Sequence, residues 1–445
     1  MTRARIYYAR VDELWRREEK YTYLEEKRHV GGGEWQELQP DAKNNWLTEG
    51  MADEFQTFAP LGTKETKAAQ TANVEAIFKI YTLGVSTNRD DVVYDFDKDR
   101  LSERIKSVAE LFNSEVLRYR QKGKPKDIDS FLSYDKIKWS EHLKAELKAG
   151  STVEFDELKI RSAIYRPFVN KVLYYDDVLN DRPGLFRTIF QTFSEKTENL
   201  ALCVSDKGWR AAFSTLAVNT LPDLHLCASS DAFQCFPFYT YDEDGTNRRE
   251  NVTDWALEKF RAQYGDPSIS KWDIFHYVYA LLHHPLYRER YAANLKRELP
   301  RLPFAPDFRA FADAGAQFAE LHVNYESQPE YPLERVEQPG AALDWRVERM
   351  KLAKDRRSLV YNDFLTLSGI PPETFEYRLG NRSALEWVVD QYRATTDQRS
   401  GITNDPNRAD DPQYIVRLVG QVVRVSVETV SIVRALPGLG LDPAT

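Results

Sequence analysis

Cysteine is scarce in this sequence, and no stretch is apolar enough to span a membrane. Only Cys203, Cys227 and Cys235 are present, and this odd, widely spaced set excludes a disulfide framework and a CxxC metal site. No apolar run approaches the roughly 18 residues of a transmembrane helix. The charged start, MTRARIYYARVDELWRREEK, lacks the apolar core of a signal peptide. We therefore expect a cytoplasmic protein with reduced thiols.

Positive charge is not in excess either. The chain of 445 residues has a formal net charge of −8, and its 42% hydrophobic and 29% charged residues are typical of a globular protein. The length allows about two or three domains. Because the charge balance is acidic, binding to nucleic acid would need a local basic face rather than a basic surface throughout.

The sequence lacks the common motifs of nucleotide-dependent and hydrolytic enzymes. There is no GxxxxGK[ST] loop to hold a triphosphate, and no GxGxxG follows a predicted strand. An Asn-Pro-Pro-Tyr type tetrapeptide is missing, although NDPN at 404–407 and IPPE at 370–373 resemble it. HExxH and GxSxG are absent as well. We expect no ATP hydrolysis, no cofactor and no catalytic residue in this chain.

Two groups of residues suggest metal chemistry, and both have a simpler explanation. His283 and His284 are adjacent, so on a helix they point about 100° apart, and Pro285 directly after them favours a helix end. Asp41 with Glu65 and Lys67 has the spacing of a nuclease site. The last two residues, however, begin a helix-like stretch, whereas such a pair needs a strand to point both side chains one way. We therefore predict no metal site.

The N-terminal part of the chain predicts a strand followed by helices. Residues 4–11 (ARIYYARV) fit a strand, and residues 12–27 (DELWRREEKYTYLEEK) fit a polar-faced helix. Further on, residues 92–96 resemble the start of a strand, and residues 98–120 fit a helix. The polar segment Thr87–Asp90 would then be a turn at the mouth of that strand.

Short apolar runs separated by turn residues dominate residues 160–250. The runs KVLYY, NLALCV, LHLCA and FPFYTY alternate with NDRPG, SDKG and YDEDG. This alternation of short apolar runs with turn residues is typical of short strands joined by long loops. The segment therefore predicts a β-rich region.

Helices are predicted to dominate the remainder. Ser270 can cap the helix WDIFHYVYALLHH, and a second helical run, LYRERYAANLKRELP at 286–300, ends at Pro300. Ser383 with Glu386 has the spacing of a capping box. RVERMKLAKDRRSLVYNDFLTL fits a hairpin with its turn near Asp355, and residues 414–433 fit a last helix or strand.

Together these segments predict a mixed α/β (α+β) fold with three parts. Residues 1–60 would form a tail and a connector, residues 61–250 a β-rich lobe with long loops, and residues 251–445 a helical lobe with a terminal hairpin and helix.

Two stretches are rich in basic residues. RYRQKGKPK, at 118–126, is predicted to be a flexible loop without an acidic residue, and mobile cations that neutralise phosphates release counterions. RVERMKLAKDRR lies on the predicted hairpin, where only some charges could reach one partner because side chains alternate faces. A solvated surface remains the alternative for both. The candidates on the loop are Arg118, Arg120, Lys122, Lys124 and Lys126.

Three polar loops carry residue types that can contact bases. Arginine can bond guanine with two hydrogen bonds and asparagine can do so with adenine, whereas threonine can meet a thymine methyl group. The alternative is an ordinary solvated turn, in which Asp90 and Asp91 pair with the neighbouring arginine. The candidates, on TNRD, NDRPG and SDKGWR, are Thr87, Asn88, Arg89, Arg182, Lys207, Trp209 and Arg210.

Five long stretches, in order, resemble one family. They are GVSTNRDDVVYDF, YRPFVNKVLYYDDVLNDRPG, IFHYVYALLHHPLYRERYAANLKRELPRLPF, YRLGNRSALEWVVDQY and SGITNDPN. Over about residues 35–435 the chain is similar to the C-terminal specificity region of type ISP restriction–modification enzymes, which are single-polypeptide relatives of type I systems.

The resemblance implies a role in reading DNA. A nuclease, a helicase-type ATPase and an N6-adenine methyltransferase would precede this region, and residues 1–34 would be the closing strand and helix of the methyltransferase. Residues 61–250 would be the target-recognition lobe, with TNRD near the DNA cleft. The expected partners are duplex DNA and the methyltransferase and helicase/nuclease domains, with no enzymatic activity in this chain.

Two other functions stay open from the sequence. The acidic balance and the amphipathic stretch DELWRREEKYTYLEEK also suit a protein-interaction scaffold that does not read DNA. An enzyme with an unrecognised site is the third. A concave basic face favours DNA reading, and a uniformly acidic surface favours the scaffold.

Overall fold

The computed structural model describes residues 5–11, 15, 17–40, 46, 50–68, 74–135, 137–190, 199–228, 231–398 and 400–441. The chain forms two compact units, Met1–Asp53 and Glu54–Thr445. The predicted lobes at 61–250 and 251–445 both lie in the second unit, and their separation stays a prediction.

The first unit is built on a short strand pair. Strand β1 (Ile6–Tyr8) pairs antiparallel with β2 (Gln36–Leu38), and helix α1 (Arg17–Lys27) lies between them in the chain. Arg5 and Glu37 form an ion pair of 2.5 Å beside the strands. The predicted strand and helix are thus present, each shorter than its predicted range. Asp41 lies outside the described residues.

The helices of the second unit are distributed along its whole length. They are α2 (Lys64–Ala68), α3 (Asp90–Val93), α4 (Lys98–Gln121), α5 (Ile128–Phe131), α6 (Glu141–Ala149), α7 (Asp254–Tyr264), α8 (Lys271–Leu281), α9 (Pro285–Arg290), α10 (Ala292–Leu295), α11 (Phe308–Val323), α12 (Ala384–Gln391) and α13 (Tyr414–Ala435).

The strands of the second unit are short. They are β3 (Ala59–Pro60), β4 (Thr82–Leu83), β5 (Tyr94–Asp95), β6 (Ile160–Arg166), β7 (Val169–Tyr174), β8 (Ala201–Ser205), β9 (Thr215–Val218), β10 (Leu221–Pro222), β11 (Phe233–Pro237), β12 (Tyr239–Thr240), β13 (Arg249–Glu250), β14 (Arg301–Leu302), β15 (Glu334–Glu337), β16 (Lys351–Leu352), β17 (Ser358–Val360), β18 (Leu365–Ser368), β19 (Arg378–Leu379), β20 (Arg382–Ser383), β21 (Thr395–Thr396) and β22 (Thr403–Asn404).

Among the described residues the strands form three four-stranded sheets and several pairs. The sheet orders are β10-β6-β7-β5, β4-β11-β8-β9 and β15-β18-β17-β16. Only β10 and β6 run parallel; the other pairs of these sheets are antiparallel. The mixed α/β fold class is therefore confirmed.

Helix α4 covers one face of the first sheet. Asp97 caps its start by accepting a hydrogen bond from the Arg100 amide at 2.8 Å. Leu101, Ile105 and Phe112 follow at helical spacing, are buried, and join the core that includes β5 and β7. The helix predicted over 98–120 is thus confirmed, and the β-rich region carries a long helix beside its strands.

The helical part is organised around α8, α11 and α13. The predicted cap Ser270 forms a full capping box with Asp273 at the start of α8, and Ser383 does the same with Glu386 in α12. Residues 414–433, predicted as helix or strand, lie in the 22-residue helix α13. Among the described residues no helix has the length and apolarity needed to cross a membrane.

The hairpin predicted with its turn near Asp355 is confirmed. Lys351 and Leu352 of β16 pair with Val360 and Leu359 of β17, and the connection turns at Asp355. Strand β18 then pairs with β17 and with β15, so the hairpin is part of a larger sheet.

Two local predictions are wrong, and a third is confirmed only in part. The strand predicted at 92–96 is present as the two residues of β5, because the helical turn Asp90–Val93 precedes them and Asp97 then caps α4. LHLCA, at 224–228, is a turn, since the Asp223 carboxylate accepts a hydrogen bond from the His225 amide at 2.9 Å. The single helical run at 286–300 is divided into α9 and α10.

Gly315 sets the close approach of α8 and α11, which gives a test of the fold. A Cβ atom at this position would lie 1.8 Å from the carbonyl oxygen of His276. Since the backbone must move to relieve this overlap, we expect Gly315→Ala to lower the free energy of unfolding by about 3 kcal/mol. At the control position Gly438 an added methyl group would have no atom within 4 Å, so Gly438→Ala should leave denaturant unfolding unchanged. Equal stability of the two variants would contradict this packing.

Candidate nucleic-acid interface

The segment Gly84–Asp91 crosses between two sheets and is fixed on both sides by backbone hydrogen bonds. The Val85 amide donates to Pro222 at 2.9 Å, and Ser86 exchanges two hydrogen bonds with Arg182 at 2.9 and 3.0 Å. A Cβ atom on Gly84 would lie 2.5 Å from the carbonyl oxygen of Asp223, so this crossing requires glycine. The polar residues that follow are therefore presented from a rigid base.

Arg89 is buried beneath this segment and is not presented to solvent. Only 2% of the residue is exposed, and its guanidinium lies 3.0 Å from the Asp181 carboxylate. It also donates to the Leu179 carbonyl at 2.5 Å and to the Ser140 hydroxyl at 2.7 Å. Burial lowers the pKa of Arg89, against the opposing effect of Asp181. Arg89 thus has a positioning role, and its ion-pair partner is Asp181 rather than the adjacent aspartates considered from the sequence.

Asn88 is the exposed residue of the same turn. Its backbone has a φ of 54°, in the left-handed region that asparagine tolerates. Its side-chain amide donates to Asp181 at 2.6 Å, so the carboxylate that holds Arg89 also orients Asn88. Thr87 is 2% exposed, and its hydroxyl donates to the Asp90 carboxylate.

A second buried ion pair supports the segment from below. The Arg166 guanidinium lies 2.7 Å from the Asp223 carboxylate and stacks over the ring of Tyr165 at 4.0 Å. The Tyr165 hydroxyl donates to Asp90 at 2.9 Å, and the Tyr94 hydroxyl donates to Asp223 at 3.2 Å. Burial raises the pKa of Asp223, whereas Arg166 acts to lower it. This network links β5, β6 and β10 to the turn.

Lys171 connects this network to the hairpin formed by β21 and β22. Its ammonium donates to the Asn404 side-chain oxygen at 2.9 Å and lies 4.6 Å from the ring centre of Phe96 and 4.4 Å from that of Tyr165. Burial lowers the pKa of Lys171 to about 8. Arg100 adds a second tie by donating to the Asp405 carbonyl at 2.7 Å. Residues far apart in the chain therefore form one surface.

Four adjoining depressions make up this surface, which we call the polar groove. The central depression, of about 480 Å³, lies between Asn88 and the β21–β22 hairpin. It shares Asn88, Lys138 and His225 with the middle depression, of about 690 Å³. The shared lining residues show that the two depressions are neighbours.

The flanks of the polar groove continue from these two depressions. The middle depression shares Asp181 and Arg182 with the lysine flank, of about 1010 Å³. The central depression shares Asp390 and Arg393 with the arginine flank, of about 310 Å³. The four depressions thus adjoin one another across the second unit.

Charge is distributed unevenly along the polar groove. The arginine flank has five arginines against Glu386 and Asp390. In the lysine flank cations also exceed carboxylates, with Lys64, Lys207 and Arg297 among its cations. The central depression has the opposite balance, with more carboxylates than cations. The cations are therefore concentrated at the two ends, and the centre offers hydrogen-bond acceptors.

The structure brings together four of the residues that the sequence indicated. Thr87 lines the central depression, Asn88 lines the central and middle depressions, Arg182 lines the middle depression and the lysine flank, and Lys207 lines the lysine flank. They come from three separate loops, and the contact of these loops with nucleic acid stays a prediction.

The basic stretch at 118–126 lies elsewhere and is only partly a loop. Arg118 and Arg120 belong to the last turn of α4, so the prediction of a loop there is wrong. Arg118 pairs with Glu115 at 2.5 Å, and Arg120 donates to the Gly150 carbonyl at 2.7 Å. Lys122, Lys124 and Lys126 are exposed after the helix and do not line the polar groove.

Two further candidates do not line the polar groove. Trp209 is 4% exposed and packs edge-on against Phe233, with 4.8 Å between ring centres. Arg210 is exposed and pairs with Asp231 at 2.9 Å. A buried indole of this kind belongs to the packing of the loop.

Several residues of the polar groove were not predicted from the sequence. Lys138, Arg393 and Thr403 line it, and so do Lys64 and Arg297 at the lysine flank. SGITNDPN, at 400–407, was the only local signal for the hairpin, and it indicated the family rather than a site.

The residues weighed for metal chemistry have other roles. Glu65 and Lys67 begin the short helix α2, as predicted. His283 follows the end of α8, and its Nδ1 lies 2.8 Å from the Tyr279 carbonyl, whereas His284 contacts the Pro437 carbonyl at 3.2 Å. Over the described ranges no group of three His, Cys, Asp or Glu side chains could hold a metal ion.

The buried role of Arg89 predicts a large effect on stability. Arg89→Ala leaves the Asp181 carboxylate without its charge partner, so we expect the free energy of unfolding to fall by about 3 kcal/mol or more. Arg182, which follows Asp181 in the chain and is exposed, supplies the control. Arg182→Ala should change the free energy of unfolding by less than about 0.5 kcal/mol. Denaturant unfolding of both variants measures the difference, and a loss below about 1 kcal/mol for Arg89→Ala would indicate an exposed pair instead.

The lowered pKa of Lys171 predicts a dependence of stability on pH. Its pKa falls from 10.5 to about 8 on folding, so the folded state binds the proton less tightly than the unfolded state. The contribution of Lys171 to the free energy of unfolding is therefore lowest below pH 8 and rises by about 1–3 kcal/mol towards pH 10.5. Lys171→Met lacks this contribution, so the stability of the wild type relative to the variant should increase between pH 7 and pH 10. Parallel pH profiles would contradict an apolar environment for this ammonium.

Comparison with known proteins identifies the family. The model of the Type ISP C-terminal specificity domain matches residues 76–418. No curated protein matches the chain.

Three solved complexes share the fold. The structure described as a cryoEM DrdV–DNA complex has a TM-score of 0.85 and 34% identity, covering 97% of this chain and 43% of that one. A nuclease-deletion mutant of the Type ISP restriction–modification enzyme LlaGI, in complex with a DNA substrate mimic, has a TM-score of 0.81 and 31% identity, covering 96% of this chain and 38% of that one. The ATP-dependent Type ISP restriction–modification enzyme LlaBIII bound to DNA has a TM-score of 0.79 and 28% identity, covering 92% of this chain and 26% of that one.

The chain spans less than half the length of each of these proteins. The family match extends over most of the chain and confirms the resemblance inferred from the five sequence stretches. The chain belongs to the family of Type ISP C-terminal specificity domains.

Proposed function

We propose that this chain reads the target sequence of duplex DNA for a restriction–modification enzyme, with the polar groove as its reading surface. The observation that carries the proposal is this row of adjoining depressions, which has cations at both ends and hydrogen-bonding side chains at its centre. The DNA complexes of LlaGI and LlaBIII support it, because those proteins share this fold.

The centre of the groove is suited to contact base edges. Carboxylates accept hydrogen bonds from the amino groups of cytosine and adenine, and asparagine can bond adenine twice. Asn88 is exposed on a turn held by buried ion pairs, and Thr395 and Thr403 face the same depression from the β21–β22 hairpin. Two rigid edges, one from each half of the second unit, would thus read opposite sides of the DNA.

The flanks are suited to contact the phosphate backbone. Arg349 and Arg378 line the arginine flank, and neither has an ion-pair partner among the described residues. Arg182 and Lys207 are exposed in the lysine flank. Cations of this kind supply affinity without regard to sequence, and the central contacts supply the preference.

The catalytic activities would belong to other parts of the enzyme. We propose that this chain is non-catalytic and directs an N6-adenine methyltransferase and an ATP-dependent nuclease, acting in the cytoplasm. Residues 1–34 would be the closing strand and helix of the methyltransferase domain. The short length of the chain relative to LlaGI and LlaBIII supports this division.

A binding selection on random duplexes tests the reading role. We expect Asn88→Ala to relax the preference at one base pair and to cost about 1–3 kcal/mol on the target. Arg182→Ala and Lys207→Ala should instead weaken binding to all duplexes and reduce the slope of log K against log salt by about 0.9 each. The selection and a salt titration together separate the two classes of contact.

The matched control is the exposed basic turn after α4. Lys122→Ala and Lys124→Ala remove the same charge outside the polar groove and should leave both measurements unchanged. Loss of affinity in these two variants alone would indicate that DNA binds at that turn rather than in the polar groove. A folded protein without any sequence preference would favour the scaffold instead.

A further inference from the structure

Lys138 lies where the central and middle depressions of the polar groove meet. Its side chain is exposed and lines both depressions. Asn88 and His225 line the same two depressions. The lysine is therefore at the centre of the groove, away from the two flanks that are proposed to hold phosphates.

Lys138 differs from the other cations of the central depression in having no partner. Four lysines and arginines line this depression, and three of them are engaged by protein groups. The engaged pairs are Arg104 with Asp95, Lys171 with Asn404, and Arg393 with Asp390. Lys138 forms no ion pair and no side-chain hydrogen bond with any residue that the structure describes. Its three N–H donors are therefore available to a ligand.

The backbone that carries Lys138 is anchored on both sides. The neighbours Ile137 and Trp139 are 9% and 7% exposed, and the Trp139 indole donates to the Ser133 carbonyl at 2.9 Å. Ser140 follows and caps the start of helix α6. Lys138 is thus an exposed residue between two buried ones, so its place in the groove is set by packing.

One carboxylate connects this segment to Asn88. Asp181 accepts a hydrogen bond from the Asn88 amide at 2.6 Å through one oxygen and from the Ser140 hydroxyl at 2.8 Å through the other. Arg89 also donates to the Ser140 hydroxyl and pairs with Asp181. The backbones that carry Asn88 and Lys138 are therefore held in a fixed relation by the same buried ion pair.

The chemistry of an ammonium group favours one base edge over the others. Guanine presents two adjacent acceptors, N7 and O6, in the major groove, and lysine can donate to both. Adenine presents an amino donor beside N7, cytosine presents an amino donor, and thymine has one acceptor beside its methyl group. Carboxylates outnumber cations around Lys138, so a phosphate is repelled there and a neutral acceptor is the better partner.

We propose that Lys138 is a specificity-determining residue that donates to N7 and O6 of a guanine in the target. This inference rests on the proposed function, because it needs duplex DNA in the polar groove with its major groove facing the central depression. Asn88, whose segment is held by the same carboxylate, would contact a base close to that guanine.

A binding selection on random duplexes, made with the full chain at low salt, tests the assignment. We expect the wild type to prefer guanine at one position and Lys138→Met to lose this preference, binding the selected duplex roughly 5- to 150-fold more weakly. Lys138→Arg should retain the preference, because a guanidinium can donate to the same two acceptors. Lys122→Met, outside the polar groove, is the matched control and should select the same sequence as the wild type. A thermal melt of each variant verifies folding.

Two base analogues locate the contact in the major groove. 7-Deazaguanine lacks the N7 acceptor, whereas hypoxanthine keeps N7 and O6 but lacks the amino group that guanine presents in the minor groove. We expect 7-deazaguanine at the selected position to weaken binding by the wild type and to have no effect on binding by Lys138→Met. Hypoxanthine should be bound about as well as guanine. A loss with hypoxanthine but not with 7-deazaguanine would place the contact in the minor groove and overturn the proposal.

The possible results separate this assignment from the proposed function. If Lys138→Met weakens binding to all duplexes alike and reduces the slope of log K against log salt by about 0.9, Lys138 contacts a phosphate and the assignment is wrong. An unchanged preference for guanine in Lys138→Met overturns it as well. Both results leave the reading of DNA by the polar groove intact. A folded wild type that selects no sequence contradicts the proposed function and this assignment with it.

Discussion

Two buried ion pairs hold the segment on which the polar groove depends. Arg89 pairs with Asp181, and Arg166 pairs with Asp223, so four charges are taken out of water directly beneath the turn at Asn88. Burial of charge is costly, and it is tolerated only where hydrogen bonds satisfy the remaining donors and acceptors. Here hydroxyl groups, backbone carbonyls and backbone amides complete most of those bonds. The geometry of the turn is therefore determined by buried residues rather than by exposed ones.

This arrangement separates the residues that shape the groove from those that can contact a ligand. Asn88 and Arg182 are exposed, while the backbone is held by hydrogen bonds at Ser86, Arg89 and Arg182. A change at such a position alters the hydrogen-bonding pattern offered to a base without a large cost in stability. If the chain reads DNA as proposed, this separation allows specificity to change independently of folding.

Local signals predicted the elements of the fold better than they predicted the site. Capping residues such as Ser270 and Ser383 act within one helical turn, and the turn at Asp355 lies within one hairpin, so the sequence alone indicated them correctly. The burial of Arg89 depends on Asp181, which is distant in the chain, and composition cannot reveal that pairing. The sequence likewise suggests Trp209 as a DNA contact, since only the tertiary structure places Phe233 beside it.

The acidic balance of the chain is compatible with DNA binding because of where the charges lie. Most exposed arginines of the groove are at its flanks, whereas carboxylates outnumber cations in the central depression. These carboxylates would repel the phosphates of the DNA backbone if that backbone entered the central depression. Such a distribution favours a duplex whose phosphates rest on the flanks and whose base edges face the centre. Net charge then reports little about function, since a charge of −8 spread over the whole chain leaves local cations available. Under the proposed function, much of the remaining phosphate contact would come from the methyltransferase and nuclease domains.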